Sequence, residues 1–377
     1  MKVLIIPSWY PSKENPVSGI FFKEQAKALS EYIDVAVLNL NVSIKNIFPQ
    51  ENVEKVNNLT TFTYKKLNIF PKIGKLKRFL IKYYTLEVFK KIVKVFGTPD
   101  IIHAHVTYPA GYMALILKER YGIPIVITEH ATFFEKIYAE NKRIVQKIFN
   151  STDYYVAVGN NLKRQLKKYG RAQCEVVPNF INFEKFQGLR TTTSRFKSDK
   201  FNYINISLMT EKKGIDILLK ALHKIVYNNG HKDVFLHLIG DGPRKNEYER
   251  LAENLKLTNY CKFYGLLSND EIPSILSSCD ALIISSRIET FGVVGIEAMA
   301  VGLPVIATIC GGPEDYVKDF NGILVEKENV DELAKGMLYV KNNYSKYNSK
   351  MIKKYAYENF SKEAVSKKLI KIYEKLK

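Results

Sequence analysis

Twice along the chain, short runs rich in valine and isoleucine alternate with longer segments patterned for helix. In the first series the strand-like runs are KVLIIP, IDVAVLNL, TTFTYKK, DIIHAH, IPIVITEH, YYVAVG and CEVVPN. In the second they are FNYINIS, VFLHLIG, CKFYG, ALIISS, LPVIAT and GILVE. A strand that is apolar at nearly every position is buried on both faces, and a parallel sheet covered by helices on each side provides that burial. The alternation predicts an α/β fold of two doubly wound, Rossmann-like domains facing a central cleft. At 377 residues the chain suits two cores better than one. The polar stretch GLRTTTSRFKSDKF, 188–201, reads as a linker. That places a first domain over 1–190 and a second over 201–359, with a final helix, about 360–377, expected to pack back on the first.

Several function classes are disfavoured. The start, MKVLIIP, is too short an apolar run for a signal peptide and reads as a buried first strand. No apolar run approaches the length of a membrane span, so a cytoplasmic protein is expected. Cys174, Cys261, Cys279 and Cys310 are widely spaced, without a CxxC or His-Cys cluster, and read as free buried thiols. That spacing offers no zinc site, and no metal cofactor is expected. Net charge is +19, and it is uneven. Residues 1–190 hold 29 Lys+Arg against 15 Asp+Glu, a net of +14, which leaves +5 for the rest. Such a balance suits an anionic partner or reflects a lysine-rich background. The segment Phe70–Phe96 carries eight Lys/Arg, one acid and helical apolar spacing. It reads as an anionic-membrane-binding face or as a domain helix with a solvated basic side. No nucleic-acid-binding module is recognisable, and nucleic acid is not expected as a partner.

Ligands of doubly wound sheets bind beyond the carboxyl ends of the strands, so the residues just after each strand carry the most information. After ALIISS comes RIETFGVVGIEAMAVG, with Glu289 on the loop and Glu297 on the second turn of a helix opening at Gly292. The helix start offers unpaired amides and a positive dipole end suited to phosphate. Two acids flanking it cannot bind phosphate, but they can accept hydrogen bonds from a ribose on one side and a sugar on the other. The plainer alternative is that Glu289 caps the helix and Glu297 faces solvent. After FNYINIS, Lys212 and Lys213 stand at another helix start, where a cation is electrostatically odd and a diphosphate would resolve the conflict.

The stretch ETFGVVGIEAMAVGLPVIAT resembles the EX7E signature of retaining glycosyltransferases of family 4, which have the GT-B fold. VVPNFIN, EKKGIDILLKAL, IGDGP, FYGLLS and NGILVE stand in that family's order and spacing, so the resemblance covers nearly the whole chain. It implies that Glu297 holds the donor ribose and that Glu289 contacts the transferred sugar. The amides after Phe291 and Gly292, from Val293 on, would hold the diphosphate, and Lys213 would stabilise the leaving group. Gly240 would lie near the donor and Leu266 near the base. Thr290 stands where many members have glycine, and Ser207 and Leu208 where many have an arginine. In the first domain it implies a glycine loop at Ser18 and Gly19 and a donor-sugar contact from His130. Trp9 and Tyr10 read equally as acceptor-cleft or loop-packing residues, and His103 and His105 as structural, with a place near the cleft left open for His105. The activity implied is metal-independent transfer of a hexose or N-acetylhexosamine from a nucleotide-diphosphate sugar, with UDP favoured. The acceptor implied is a glycan or lipid-linked glycan in surface polysaccharide assembly, reached by a protein peripheral to the inner face of the membrane. A nucleotide-sugar 2-epimerase and a basic nucleic-acid-binding protein are the rival readings.

Overall fold

The computed structural model describes residues 1–12, 15, 18–69, 74–130, 134–170, 173–187 and 199–377. The chain divides into two compact units. The first comprises Met1–Val158, Leu162–Val177 and Val365–Lys377, and the second Gly159–Asn161 and Pro178–Ala364.

The first unit is built on eight strands: β1 (Lys2–Pro7), β2 (Asp34–Ser43), β3 (Gln50–Val56), β4 (Leu59–Leu67), β5 (Ile101–His105), β6 (Ile125–Glu129), β7 (Tyr154–Ala157) and β8 (Gln173–Val176). Their order is β3-β4-β2-β1-β5-β6-β7-β8. All pairings are parallel except β3 with β4. Val3, Leu4, Ile5 and Ile6 of the central strand are fully buried, as an apolar run between two helical layers must be. Helix α1 (Ile20–Ser30) follows β1. Helix α2 (Gly74–Phe96) buries Ile81, Thr85, Val88, Phe89 and Ile92, a stripe at helical spacing, and turns most of its lysines outward. Of the basic segment expected over Phe70–Phe96, residues 70–73 lie outside the described residues.

The second unit has six parallel strands: β9 (Phe201–Ile206), β10 (Val234–Ile239), β11 (Cys261–Gly265), β12 (Ala281–Ile284), β13 (Val305–Thr308) and β14 (Gly322–Val325), ordered β11-β10-β9-β12-β13-β14. Helix α3 (Val293–Ala300) follows β12. Its core joins Tyr203, Leu218, Leu222, Leu236, Ile283 and Met337.

Three readings need correction. Strand β3 went unread because QENVEKV has no apolar alternation. Every residue of it is exposed, and only its antiparallel pairing with β4 defines it. The expected boundary at 190 falls at 177 instead, because Pro178–Gln187 belong to the second unit. There Ile181 bridges Ser361, and the Phe183 ring sits edge-on to Tyr357 at 5.3 Å. The four cysteines are free, but Cys174 is half-buried rather than buried. The final helix, Lys362–Glu374, begins in the second unit, and from Val365 the chain belongs to the first. There the Tyr373 hydroxyl meets His103 Nδ1 at 2.6 Å, and Lys375 pairs with Glu175 at 2.7 Å. Of the linker read over 188–201, residues 188–198 lie outside the described residues.

Candidate functional site

In the second unit the strand order reverses direction between β9 and β12, neighbours in the sheet. The loops leaving their carboxyl ends diverge, which opens the crevice where such sheets take ligands. Lys213 stands on the loop after β9 and Glu289 on the loop after β12. Across a separation of 76 positions in the chain, Lys213 Nζ is ion-paired to Glu289 Oε1, and the Ser286 hydroxyl donates to the same oxygen at 3.0 Å. Lys212, by contrast, is exposed.

The pair is held by stitching between the loops. The Ser285 hydroxyl donates to the Lys213 carbonyl at 2.9 Å, and the Arg287 amide to that of Lys212 at 2.7 Å. The Arg287 guanidinium forks onto Asp216 at 2.8 and 3.0 Å, reaches Glu328 at 3.1 Å and donates to the Glu211 carbonyl at 2.6 Å. Burial would raise the Asp216 carboxyl, but Arg287 holds it below its ordinary value. Sequence reasoning passed over Arg287. Its signal was a cation two residues before the first acid of the motif.

Helix α3 opens at Gly292, whose φ of 81° suits glycine. The first amides of any helix lack an intrahelical acceptor, so those of Val293 and Val294 are donors beside the Lys213–Glu289 pair, while the Gly295 amide already donates to the Gly292 carbonyl at 2.9 Å. The fully buried Tyr316 props this end. Its hydroxyl donates to the Gly292 carbonyl at 2.8 Å, and a Cβ on Gly295 would come within 2.4 Å of its oxygen. Gly295→Ala should therefore cost about 1–3 kcal/mol of stability by overpacking, read as a lower midpoint in thermal unfolding. An unchanged midpoint would contradict that close approach.

The other residues expected near the donor fall on the same carboxyl edge or beside it. Glu297 is half-buried on the second turn of α3, and burial pushes its carboxyl up to about 7, tempered by the charge of Lys185. The Phe291 ring is buried against Tyr316 and Phe360, so only its backbone is available to a ligand. The Thr290 carbonyl lies 3.0 Å from where a Cβ on Gly159 would stand. Gly240 follows β10 with φ 128°, and a Cβ there would strike the Ser207 carbonyl at 2.0 Å, so only glycine lets this turn lie against the exit of β9. Its amide donates to the Gly265 carbonyl at 2.9 Å, and the neighbouring Leu266 is exposed. Ser207 donates to Asn205, and Leu208 points outward, so neither supplies a cation.

In the first unit, Gly19 caps α1 with φ 73°, and the Ser18 amide donates to Asn15 at 3.2 Å. Trp9 packs on Phe22 at 5.4 Å. His130, just past β6, meets His105 through Nε2 and Nδ1 at 3.2 Å, with the Phe21 and Phe22 rings at 4.9 and 5.1 Å. Burial pushes the His103 and His130 imidazoles down to about 3, and His105 well below its ordinary value, so all three are neutral near pH 7. Both nitrogens of His103 are satisfied, by Tyr373 and Thr128. Among the described residues, His105 Nε2 and His130 Nδ1 have no hydrogen-bond partner. Also among the described residues, no three His, Cys, Asp or Glu side chains gather as metal ligands, and no helix is long and apolar enough to cross a membrane.

Two family models match the chain: Glycosyltransferase Family 4 over 26–185 and Glycosyl transferases group 1 over 192–359. An uncharacterized glycosyltransferase of Methanocaldococcus jannaschii is 29% identical over 70% of this chain and 71% of its own length. Sucrose-phosphate synthase from Thermosynechococcus elongatus matches in structure with a TM-score of 0.78 and 20% identity, over 100% of this chain and 98% of that one. Anabaena HepE, solved in complex with UDP, matches with a TM-score of 0.75 and 19% identity over all of both chains.

Proposed function

The chain is a glycosyltransferase of family 4 with the α/β GT-B fold, and from that premise we propose a retaining enzyme that uses a nucleotide-diphosphate sugar, with UDP as the favoured base. It moves a hexose or N-acetylhexosamine to a glycan or lipid-linked glycan acceptor in surface polysaccharide assembly, at the inner face of the membrane. The observation that carries the donor reading is the Lys213–Glu289 pair at the β9–β12 crevice, beside the amide end of α3.

A diphosphate brought to that helix end draws Lys213 away from Glu289. The lysine and the amides then face the charge that grows as the diphosphate leaves. Glu289, released, accepts a hydrogen bond from the sugar, and Glu297 accepts from the ribose. With Lys213 and the helix amides carrying the phosphate charge, this reading needs no metal. Neutral His130 offers Nδ1 to the sugar, and the acceptor hydroxyl attacks the anomeric carbon on the face the diphosphate leaves. Ser18 and Gly19 belong to the acceptor side, and the basic first half of the chain suits an acceptor on an anionic lipid carrier. A UDP-bound relative of the same fold supports the choice of base.

Thermal unfolding with UDP, GDP and ADP tests the reading. UDP at a hundred times its Kd should stabilise by about 2.7 kcal/mol, and GDP or ADP much less. Preference for another nucleotide would overturn the base, and indifference to all three would overturn the donor site.

A further inference from the structure

Strands β2 and β4 run parallel with Ser43 opposite Leu67, so their carboxyl ends lie side by side. The chain leaving β2 carries Ile44, Ile47 and Phe48, and the chain leaving β4 carries Ile69. Phe48 is 82% exposed, and the other three are each more than half exposed. This apolar loop is not loose. The Asn46 side chain donates to the Lys66 carbonyl at 3.1 Å and to the Asn41 carbonyl at 2.8 Å, and the Asn68 amide donates to the Ser43 carbonyl at 3.0 Å. The Tyr84 hydroxyl of α2 reaches the Leu67 carbonyl at 3.4 Å, which brings the first half of that helix to the same end of the sheet. Phe79 and Tyr83, one turn apart on α2, are again more than half exposed. Lys45 on the loop and Lys77 and Lys82 on the helix are exposed around them.

Folded proteins rarely leave six large apolar side chains outward at one end without a partner. The charge around these six decides which partner. A second copy would set lysine against lysine, and a nucleic acid would leave Ile47 and Phe48 without use. An anionic bilayer takes both parts, the apolar wedge below the headgroups and the lysines among them. We propose that the loop Ile44–Phe48 is a membrane wedge that inserts into an anionic phospholipid bilayer, with Phe79 and Tyr83 beside it and Lys45, Lys77 and Lys82 on the headgroups. This rests on and deepens the membrane part of the reading above, adding the loop to the basic face of α2.

Flotation of the full chain with vesicles of equimolar phosphatidylglycerol and phosphatidylcholine, and with phosphatidylcholine alone, tests it. The wild-type chain should float with the anionic vesicles, less so as salt rises. Ile47→Asp/Phe48→Asp should lower that binding by about tenfold or more, with unchanged thermal unfolding and an unchanged response to UDP. Lys77→Glu/Lys82→Glu should also weaken binding and flatten its salt dependence. If the wild type does not float, the wedge and the membrane reading both fall, while the UDP response judges the donor site separately. If Ile47→Asp/Phe48→Asp floats like the wild type, the wedge falls and α2 alone remains. Should sedimentation instead show a dimer that this variant dissolves, the face is an interface between copies and the proposal is overturned.

Discussion

Lys213→Ala should lower kcat by about a hundred- to a thousandfold, with a much smaller change in the KM for the donor. The asymmetry follows from what the lysine meets in each state. With Glu289 as its partner, Lys213 is already matched in the free enzyme. Charge on the leaving diphosphate increases only as the sugar bond breaks, so the cation gains most in the transition state. Lys212 on the same loop is exposed and outside the pair, and Ser207 and Leu208 stand where many family members have an arginine, so in this reading the task falls on Lys213. The substitution also strands Glu289, whose side chain is only 13% exposed and keeps Ser286 as its remaining partner. A stability loss of about 1–3 kcal/mol is expected from that uncompensated charge. The two effects separate in Lys213→Ala/Glu289→Gln, which should regain most of the stability and none of the turnover. Recovery of turnover in the double variant would mean that Lys213 acts only by holding the loop, and full activity in the single variant would remove it from the chemistry.

The sequence showed the parts of this arrangement that are written in contiguous residues. The central strands were legible because burial on both faces leaves runs such as KVLIIP and ALIISS without polar interruption. The EX7E motif was legible because a loop acid, a helix start and a second-turn acid lie within nine residues. Pairings made across the fold were not. Nothing in the chain announces that Lys213 will meet Glu289, that Arg287 will fork onto Asp216, or that Tyr316 will prop Gly292, because strand order sets those distances. Strand β3 was illegible for the opposite reason, since a fully exposed edge strand has no face that burial can pattern. The border at 177 escaped notice because composition changes at the polar stretch from 188, whereas Ile181 and Phe183 had already committed the chain to the second unit. His105 was read as structural beside His103, and only the fold separates the satisfied ring from the one with a nitrogen to spare.

Glu297→Gln should raise stability and lower donor affinity, and both effects should depend on pH. The folded carboxyl titrates near 7, above its ordinary value of 4.5, because burial penalises the charge. Below about pH 4.5 the folded and unfolded chains both hold the proton, and the residue has no pH-dependent effect. Between about 4.5 and 7 the unfolded chain loses it and the folded one keeps it, so stability falls as pH rises. Above about 7 both are ionised, and the folded state carries a full penalty of about 3 kcal/mol. Glutamine removes that penalty, so the variant should unfold several degrees higher than wild type at about pH 8 and level with it at about pH 4. A ribose reverses the balance, because its hydroxyls donate to the carboxylate and favour the ionised form. Donor affinity should therefore climb with pH through about 7 and then flatten. Glu297→Gln should bind the donor about ten- to a hundredfold more weakly at about pH 8, the worth of a charge-assisted hydrogen bond, and show no such climb. A residue retained only for packing would lose stability and affinity together. One that raises the melting point while losing the ligand holds its charge in an unfavourable place for the ligand's sake. Isothermal titration of the nucleotide across this range decides it: a flat wild-type affinity, or a glutamine variant that binds like wild type, would take the ribose away from Glu297.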